Sequence, residues 1–144
     1  MKTISEILQA KGHDVWSVSP DTSVFEALEE MADKNIGAMV VLDGDDLVGM
    51  FSERDYARKV ILVGKTSKDT LVSEIMTADV VCVKPKQSVG ECMALMTDKH
   101  IRHLPVCRGN GLIGVVSIGD MVKAIIGELE FTVDQLENYI AGSR

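Results

Sequence analysis

Short apolar runs alternate with polar punctuation along this chain, and the period of the alternation switches in a fixed order. Val15–Ser19 and Val80–Lys84 are brief, largely β-branched stretches, each stopped by a proline, Pro20 or Pro85; both predict short strands. Ser23-x-x-Glu26 and Ser88-x-x-Glu91 have the spacing of capping boxes and predict helix starts. Behind them Val24, Leu28 and Met31, and likewise Val89, Met93 and Met96, fall on one face at helical spacing. Met39–Leu42 and Leu104–Cys107 read as strands, followed by turns at residues 43–46 and 108–111 and by strands Leu47–Phe51 and Leu112–Val116. A second helix is predicted to start at Ser52 and at Ser117. The tail Glu128–Ile140 places Leu129, Val133, Leu136 and Ile140 on one face, which predicts a last helix, packed on its own domain or used as a dimer contact.

The pattern is one βαββα unit written twice. Val15–Tyr56 and Val80–Met121 align without a gap at a spacing of 65 residues, with 16 of 42 positions identical. Val18/Val83, Pro20/Pro85, Glu26/Glu91, Ile36/Ile101, Gly49/Gly114, Ser52/Ser117 and Asp55/Asp120 are among the matches. A related segment precedes each copy, Ser5-Glu6-Ile7-Leu8 and Ser73-Glu74-Ile75-Met76. The boundaries expected along the chain are residues 1–70 for repeat 1 with its N-terminal segment, 71–127 for repeat 2, and 128–144 for the tail. One copy cannot bury both faces of a three-stranded sheet. The expected fold is therefore α+β, two repeats packed through their sheets with helices outside, a pseudo-twofold axis and matching clefts between the halves.

Composition narrows the partners. A chain of 144 residues can bury a sizeable core without a staple, and with only 4% aromatics but eight Met that core must be aliphatic. The net charge of −7 argues against nucleic acid and anionic membrane, which demand clustered Lys and Arg. Cys82, Cys92 and Cys107 are an odd number without CxxC spacing, so a disulfide framework is not expected and a reducing compartment fits better. By repeat equivalence all three take positions of small or core residues. No signal-peptide pattern and no apolar run of about 20 residues is visible, so the cytoplasm is the expected location.

The same short motif ends the hairpin of each copy: Gly49-Met-Phe-Ser52-Glu-Arg-Asp55 and Gly114-Val-Val-Ser117-Ile-Gly-Asp120. One reading is structural, a Ser helix cap with an Asp one turn in, favoured by the helix dipole. The other is a ligand site, where the helix N-terminus meets an anion, the Asp accepts both hydroxyls of a ribose, and the Gly lets a ligand approach the backbone. The two are compatible for different atoms.

The duplicated pattern resembles a tandem pair of cystathionine-β-synthase (CBS) domains, a Bateman module, from Ile4 to about Ile126. The resemblance rests on Ile101-Arg-His-Leu-Pro-Val106, Gly114-x-x-Ser117-x-x-Asp120, Phe51-Ser-Glu-Arg-Asp-Tyr56 and Leu136-x-x-Tyr139-Ile140, and looks closest to the stand-alone CBS-pair type. It implies an adenosine-containing ligand (AMP, ADP, ATP, NAD or S-adenosylmethionine) in the inter-repeat clefts, no required metal, a homodimer, and a partner protein that reads the occupancy. Carried over by motif, Asp55 and Asp120 would hold ribose hydroxyls, with Ser52 and Ser117 beside the ribose or phosphate. Ile36, Gly37 and Ala38, and Ile101, His103 and Pro105, would line the adenine pocket together with Val18 and Val83. Arg54, Arg58, Arg102 and His103 are the cations available to phosphate. Repeat 1 has Gly37-Ala-Met-Val-Val41 where repeat 2 has Arg102-His-Leu-Pro-Val106, so unequal sites are expected, the one containing Asp120 being the better formed.

Other chemistries find little support. His100-x-x-His103 with Cys107 lacks the spacing of a structural zinc motif, and Asp43-Gly-Asp-Asp46 lacks the later Glu of a calcium loop. Glu53 and Asp55 stand too close on one turn to oppose each other across a substrate, and no nucleophile–base–orienter set is visible. The expectation is a regulatory nucleotide-binding module and not an enzyme. Its rivals are a ligand-independent scaffold with the same fold and a nucleotide-processing enzyme.

Overall fold

A computed structural model of the chain describes residues 2–142 and has two compact units, each discontinuous in sequence. One comprises Asp14–Val81 with Gly109–Leu112; the other comprises the residues up to His13, Cys82–Arg108 and the chain from Ile113 onward.

In the first unit, β1 (Ser17–Val18) pairs parallel with β2 (Ala38–Asp43), which pairs antiparallel with β3 (Asp46–Ser52) in a sheet of order β1-β2-β3. Between β1 and β2 runs α2 (Val24–Lys34), capped by Ser23, whose hydroxyl accepts the Glu26 N–H at 3.1 Å. Asn35 ends α2 in the left-handed conformation, φ 56°, which a short polar side chain tolerates. After β3 comes a single turn, α3 (Glu53–Tyr56), continuing as a π-helical turn Ala57–Ile61, and later α4 (Val72–Ile75). Val24, Ala27, Met31, Met39, Val41, Phe51, Val60, Val72 and Ile75 form its aliphatic core, with Phe51 the one fully buried aromatic ring among them.

The second unit repeats the order with α5 (Val89–Lys99), β4 (His103–Arg108), β5 (Gly111–Ser117, from Ile113 onward in this unit) and α6 (Ile118–Gly142), and adds α1 (Ile4–Lys11). Ser88 and Glu91 form the reciprocal capping box expected of them, and His100 ends α5 in the same left-handed conformation as Asn35. The strand expected at Val80–Lys84 is reduced to a single parallel bridge, Val83 with Val106. The cause is Pro105. It occupies the position of Val40, which pairs with Ser17 in the first unit, and a proline has no N–H to give to a ladder. The sheet is accordingly two-stranded, β4-β5.

Two further expectations change. The leading segments are exchanged between repeats. Val72 N–H donates to Thr22 O (2.8 Å) and Ser73 N–H to Pro20 O (3.0 Å), so the segment before repeat 2 packs in the unit of repeat 1. Ile4 N–H donates to Gln87 O and Ser5 N–H to Pro85 O, both 2.9 Å, so the N-terminal segment packs in the unit of repeat 2. The boundaries 1–70 and 71–127 thus follow the repeats along the sequence while the compact units trade their first turns. Nor is the tail a separate helix, because α6 runs unbroken through Gly127 to Gly142. It is pinned to its own unit as far as Glu128, whose carboxylate accepts the backbone N–H of Lys2, and every described residue beyond that point is exposed.

Candidate functional site

Both Ser-x-x-Asp motifs stand where a hairpin's second strand passes into a helix, and both are reciprocal caps. Asp55 N–H donates to Ser52 Oγ (3.2 Å) while Ser52 N–H donates to Asp55 Oδ2 (3.0 Å). Asp120 N–H donates to Ser117 Oγ (3.1 Å) while Ser117 N–H donates to Asp120 Oδ2 (2.8 Å). The structural reading of the motif therefore holds in each copy, and any ligand must share these carboxylates with the backbone.

The environments of the two carboxylates differ. Asp55 is buried, and its Oδ1 takes Lys59 Nζ at 3.2 Å and the Thr77 hydroxyl at 3.3 Å. Asp120 keeps 21% of its side chain exposed, and its Oδ2 takes Lys11 Nζ at 2.7 Å. Lys11 Nζ also donates to Val115 O at 2.9 Å, which fixes the ammonium against β5. Burial alone would raise the Asp120 pKa, but the hydrogen bond and charge of Lys11, with the Ser117 N–H and hydroxyl, outweigh it and hold the carboxyl below its ordinary value of 3.8.

Each motif is joined to the segment expected to line an adenine pocket. Glu53 N–H donates to Gly37 O (3.1 Å), and Ile118 N–H donates to Arg102 O (2.8 Å), so each first helical turn is tied to the entry of the preceding strand. Ile36, Gly37 and Ala38 thus adjoin Ser52–Asp55 in one unit, and Ile101, Arg102 and His103 adjoin Ser117–Asp120 in the other. Val18, Val83 and Pro105 are buried, the last two joined by Val83 N–H to Pro105 O at 2.9 Å. Arg54 and Arg102 are exposed at their helix start and strand entry, and Arg58 is exposed on the π turn.

The motif glycines serve the fold. A Cβ on Gly114 would stand 2.7 Å from Leu8 Cδ2, and one on Gly49 would stand 2.6 Å from Met76 Sδ. Leu8 and Met76 are equivalent residues of the exchanged leading segments, so each glycine makes room for a side chain of that segment, fully buried for Leu8 and half-buried for Met76. Sequence reasoning also missed Lys11, Lys59 and Thr77. Lys11 and Thr77 lie outside the aligned repeat, and Lys59 lies just past its end. Only the i,i+4 spacing of Asp55 and Lys59 was available as a signal.

Cys92 is buried as expected, its thiol pushed by burial up to about 11, but Cys82 is exposed and Cys107 half-buried. Cys82 was matched to Ser17, whose strand pairing repeat 2 lacks, so it stands on the open side of the Val83 bridge. Among the described residues no three His, Cys, Asp or Glu side chains gather as a metal-ligand set. No helix among them is long and apolar enough to cross a membrane. A pocket of about 410 Å³ in the first unit is lined by Leu28, Met31, Ala32, Glu53, Tyr56 and Ala57, so it borders the helical turn that follows Ser52.

Comparison with known proteins agrees with the repeat. The CBS domain family model matches twice, at residues 4–62 and 72–127. The mitochondrial CBS domain-containing protein CBSX3 of Arabidopsis thaliana is 41% identical over 97% of this chain and 72% of its own. A putative signal-transduction protein with CBS domains from Burkholderia ambifaria is 51% identical, with a TM-score of 0.86 over 88% of this chain and 95% of its own. The CBS domain pair of protein MJ0100, solved in complex with methylthioadenosine and S-adenosylmethionine, shares the fold at 22% identity and a TM-score of 0.77 over 89% of this chain and 98% of its own. The doubled motif, the doubled family match and the shared architecture make this chain a member of the CBS domain family, an α+β CBS pair.

Proposed function

We propose that this CBS pair is a regulatory module that binds an adenine nucleotide (AMP, ADP, ATP or NAD) and signals its occupancy to a partner protein, acting as a homodimer without catalysis of its own. The observation that carries the reading is the contrast between the two carboxylates. Asp120 is part-exposed and ionised, next to the exposed Arg102, whereas Asp55 is enclosed by Lys59 and Thr77. The adenosine-bearing ligands of protein MJ0100 support the ligand class.

In this reading the ribose hydroxyls donate to Asp120 and displace Lys11 from its Oδ2. The ammonium so released, together with Arg102, pairs with phosphate. Asp120 then exchanges its ion pair for hydrogen bonds from neutral hydroxyls, and the pairs that Lys11 and Arg102 make with phosphate offset that loss. Occupancy shifts the module only through a difference in affinity between its two states, and the ligand supplies that difference by rearranging Lys11 and the α6 start.

A second reading, a ligand-independent interaction module of the same fold, is favoured by one observation: both carboxylates are already satisfied by protein groups. Thermal melts with AMP, ADP, ATP, NAD and S-adenosylmethionine separate the two. A ligand at 100 times its Kd should add about 2.7 kcal/mol of stability. No shift with any of them sinks the sensor, and disappearance of nucleotide on incubation would indicate an enzyme. Against each variant's own ligand-free melt, Asp120→Ala should lose most of the shift and Asp55→Ala much less. Equal losses would refute the assignment of the better site to repeat 2.

A further inference from the structure

Cys82 and Cys107 are free thiols whose sulfurs stand 3.2 Å apart in one unit, with Cys107 donating to Cys82. The contact is framed by the backbone on both sides of the Val83–Val106 bridge, where Val83 N–H donates to Pro105 O and Cys107 N–H donates to Val83 O, each at 2.9 Å. Cys82 is exposed and Cys107 half-buried. Among the described residues no third His, Cys, Asp or Glu joins them as a metal-ligand set.

We infer that Cys82 and Cys107 are a peroxide-responsive dithiol that closes to an intramolecular disulfide. The sulfurs must approach by about 1.2 Å to reach the bonded distance of about 2.05 Å. Residues 80–82 carry no strand pairing, so that segment can supply the movement without breaking a ladder. The two thiols have distinct parts. Cys82 is reachable by solvent and its thiolate attacks hydrogen peroxide; its sulfur gains the proximal oxygen, the O–O bond breaks, and the distal oxygen leaves as hydroxide, which takes up a proton to become water. Cys107 Sγ then attacks the Cys82 sulfenic sulfur. The S–O bond breaks, and the hydroxyl leaves with the Cys107 proton as a second water. Two electrons pass from the two thiols to one peroxide. Burial and the hydrogen bond to Cys82 push the Cys107 thiol up to about 12, consistent with its part as the protonated, resolving partner. Cys92, buried and remote from solvent, is the internal control.

The crosslink joins the segment carrying Val83 to β4 and so fixes the Val83–Val106 bridge. The test treats the whole protein with a few equivalents of hydrogen peroxide, followed by alkylation, intact-mass measurement and peptide mapping. The expected result is loss of two of the three alkylatable thiols, a Cys82–Cys107 linked peptide, Cys92 still reduced, and full reversal by a dithiol reductant. Amide exchange at Val83 and Cys107 should slow at least several-fold in the oxidised form. Cys107→Ser should instead trap Cys82 as the sulfenic acid, detectable with a dimedone probe, and Cys92→Ser should oxidise like the native chain. Intermolecular Cys82 dimers, over-oxidation of Cys82 with Cys107 still alkylatable, or retention of all three thiols would each overturn the inference. Nucleotide melts on the reduced protein are independent of it, so failure of the sensor reading and failure of this one are told apart.

Discussion

Lys11 and Asp120 form the contact on which the site's electrostatics turn, and its pH dependence has a definite sign. The Asp120 carboxyl is held below 3.8 in the folded chain, so the protein binds fewer protons there than its unfolded form does. The stability this confers is complete above about pH 4 and is lost as pH falls through the depressed value. Asp120→Asn keeps the size of the side chain but removes the charge. It should cost about 1–3 kcal/mol near neutral pH, the range for a hydrogen bond to a charged group. The gap between native and variant urea midpoints should narrow toward zero as pH falls through the depressed Asp120 value. A gap that stays constant with pH would mean that Lys11 contributes nothing through charge. Asp120 itself was legible in the sequence because the motif recurs 65 residues apart. Lys11 was not, because no repeat equivalence points to it and the contact spans 109 residues.

At the scale of elements, what was legible is what each stretch decides locally: the capped helices behind Ser23 and Ser88, the hairpins turning at Gly44 and Gly109, and the helix starts at Ser52 and Ser117. What was not legible depends on distant partners. The strand at Val80–Lys84 has the right residues, but Pro105 withholds the N–H its ladder needs. The leading segments resemble each other, and nothing in either says that it packs with the other repeat's body. That exchange puts a demand on Gly49 and Gly114 that can be measured. Gly114→Ala meets the Leu8 side chain first, at 2.7 and 3.1 Å, whereas Gly49→Ala meets Met76 Sδ and also the Thr77 carbonyl at 3.0 Å. That carbonyl is fixed, since Thr77 and Met50 exchange two backbone hydrogen bonds of 2.9 Å. Each substitution should cost about 1–3 kcal/mol by overpacking, with Gly49→Ala the more damaging. In a double-mutant cycle, Leu8→Ala should absorb most of the Gly114→Ala cost, while Met76→Ala should relieve Gly49→Ala only in part. Additivity in the Leu8 cycle would show that the glycine is not there for the exchanged helix.

At the scale of the molecule, the outer part of α6 raises the question of what covers it. The sequence marked Leu129, Val133, Leu136 and Ile140; the continuous helix extends that line back through Ile126 to Val122. Steps of four, three, four, three and four residues repeat every seven, the period of a coiled-coil seam and not of a broad face laid on a globular core. All six side chains are between 43% and 75% exposed in the single chain. A partner helix laid along this seam would cover these side chains and stabilise residues 129–142. A second copy offers an identical seam and needs no further component, which is why the homodimer is expected to form here. The native chain should sediment as a dimer with a melting temperature that rises with concentration. Leu129→Glu with Leu136→Glu should give a monomer whose melting no longer depends on concentration, with part of the helical circular dichroism lost as the end of α6 frays. A native chain that stays monomeric at high concentration would leave the seam to a different protein, and the same double variant would then disrupt signalling without changing the mass of the free chain.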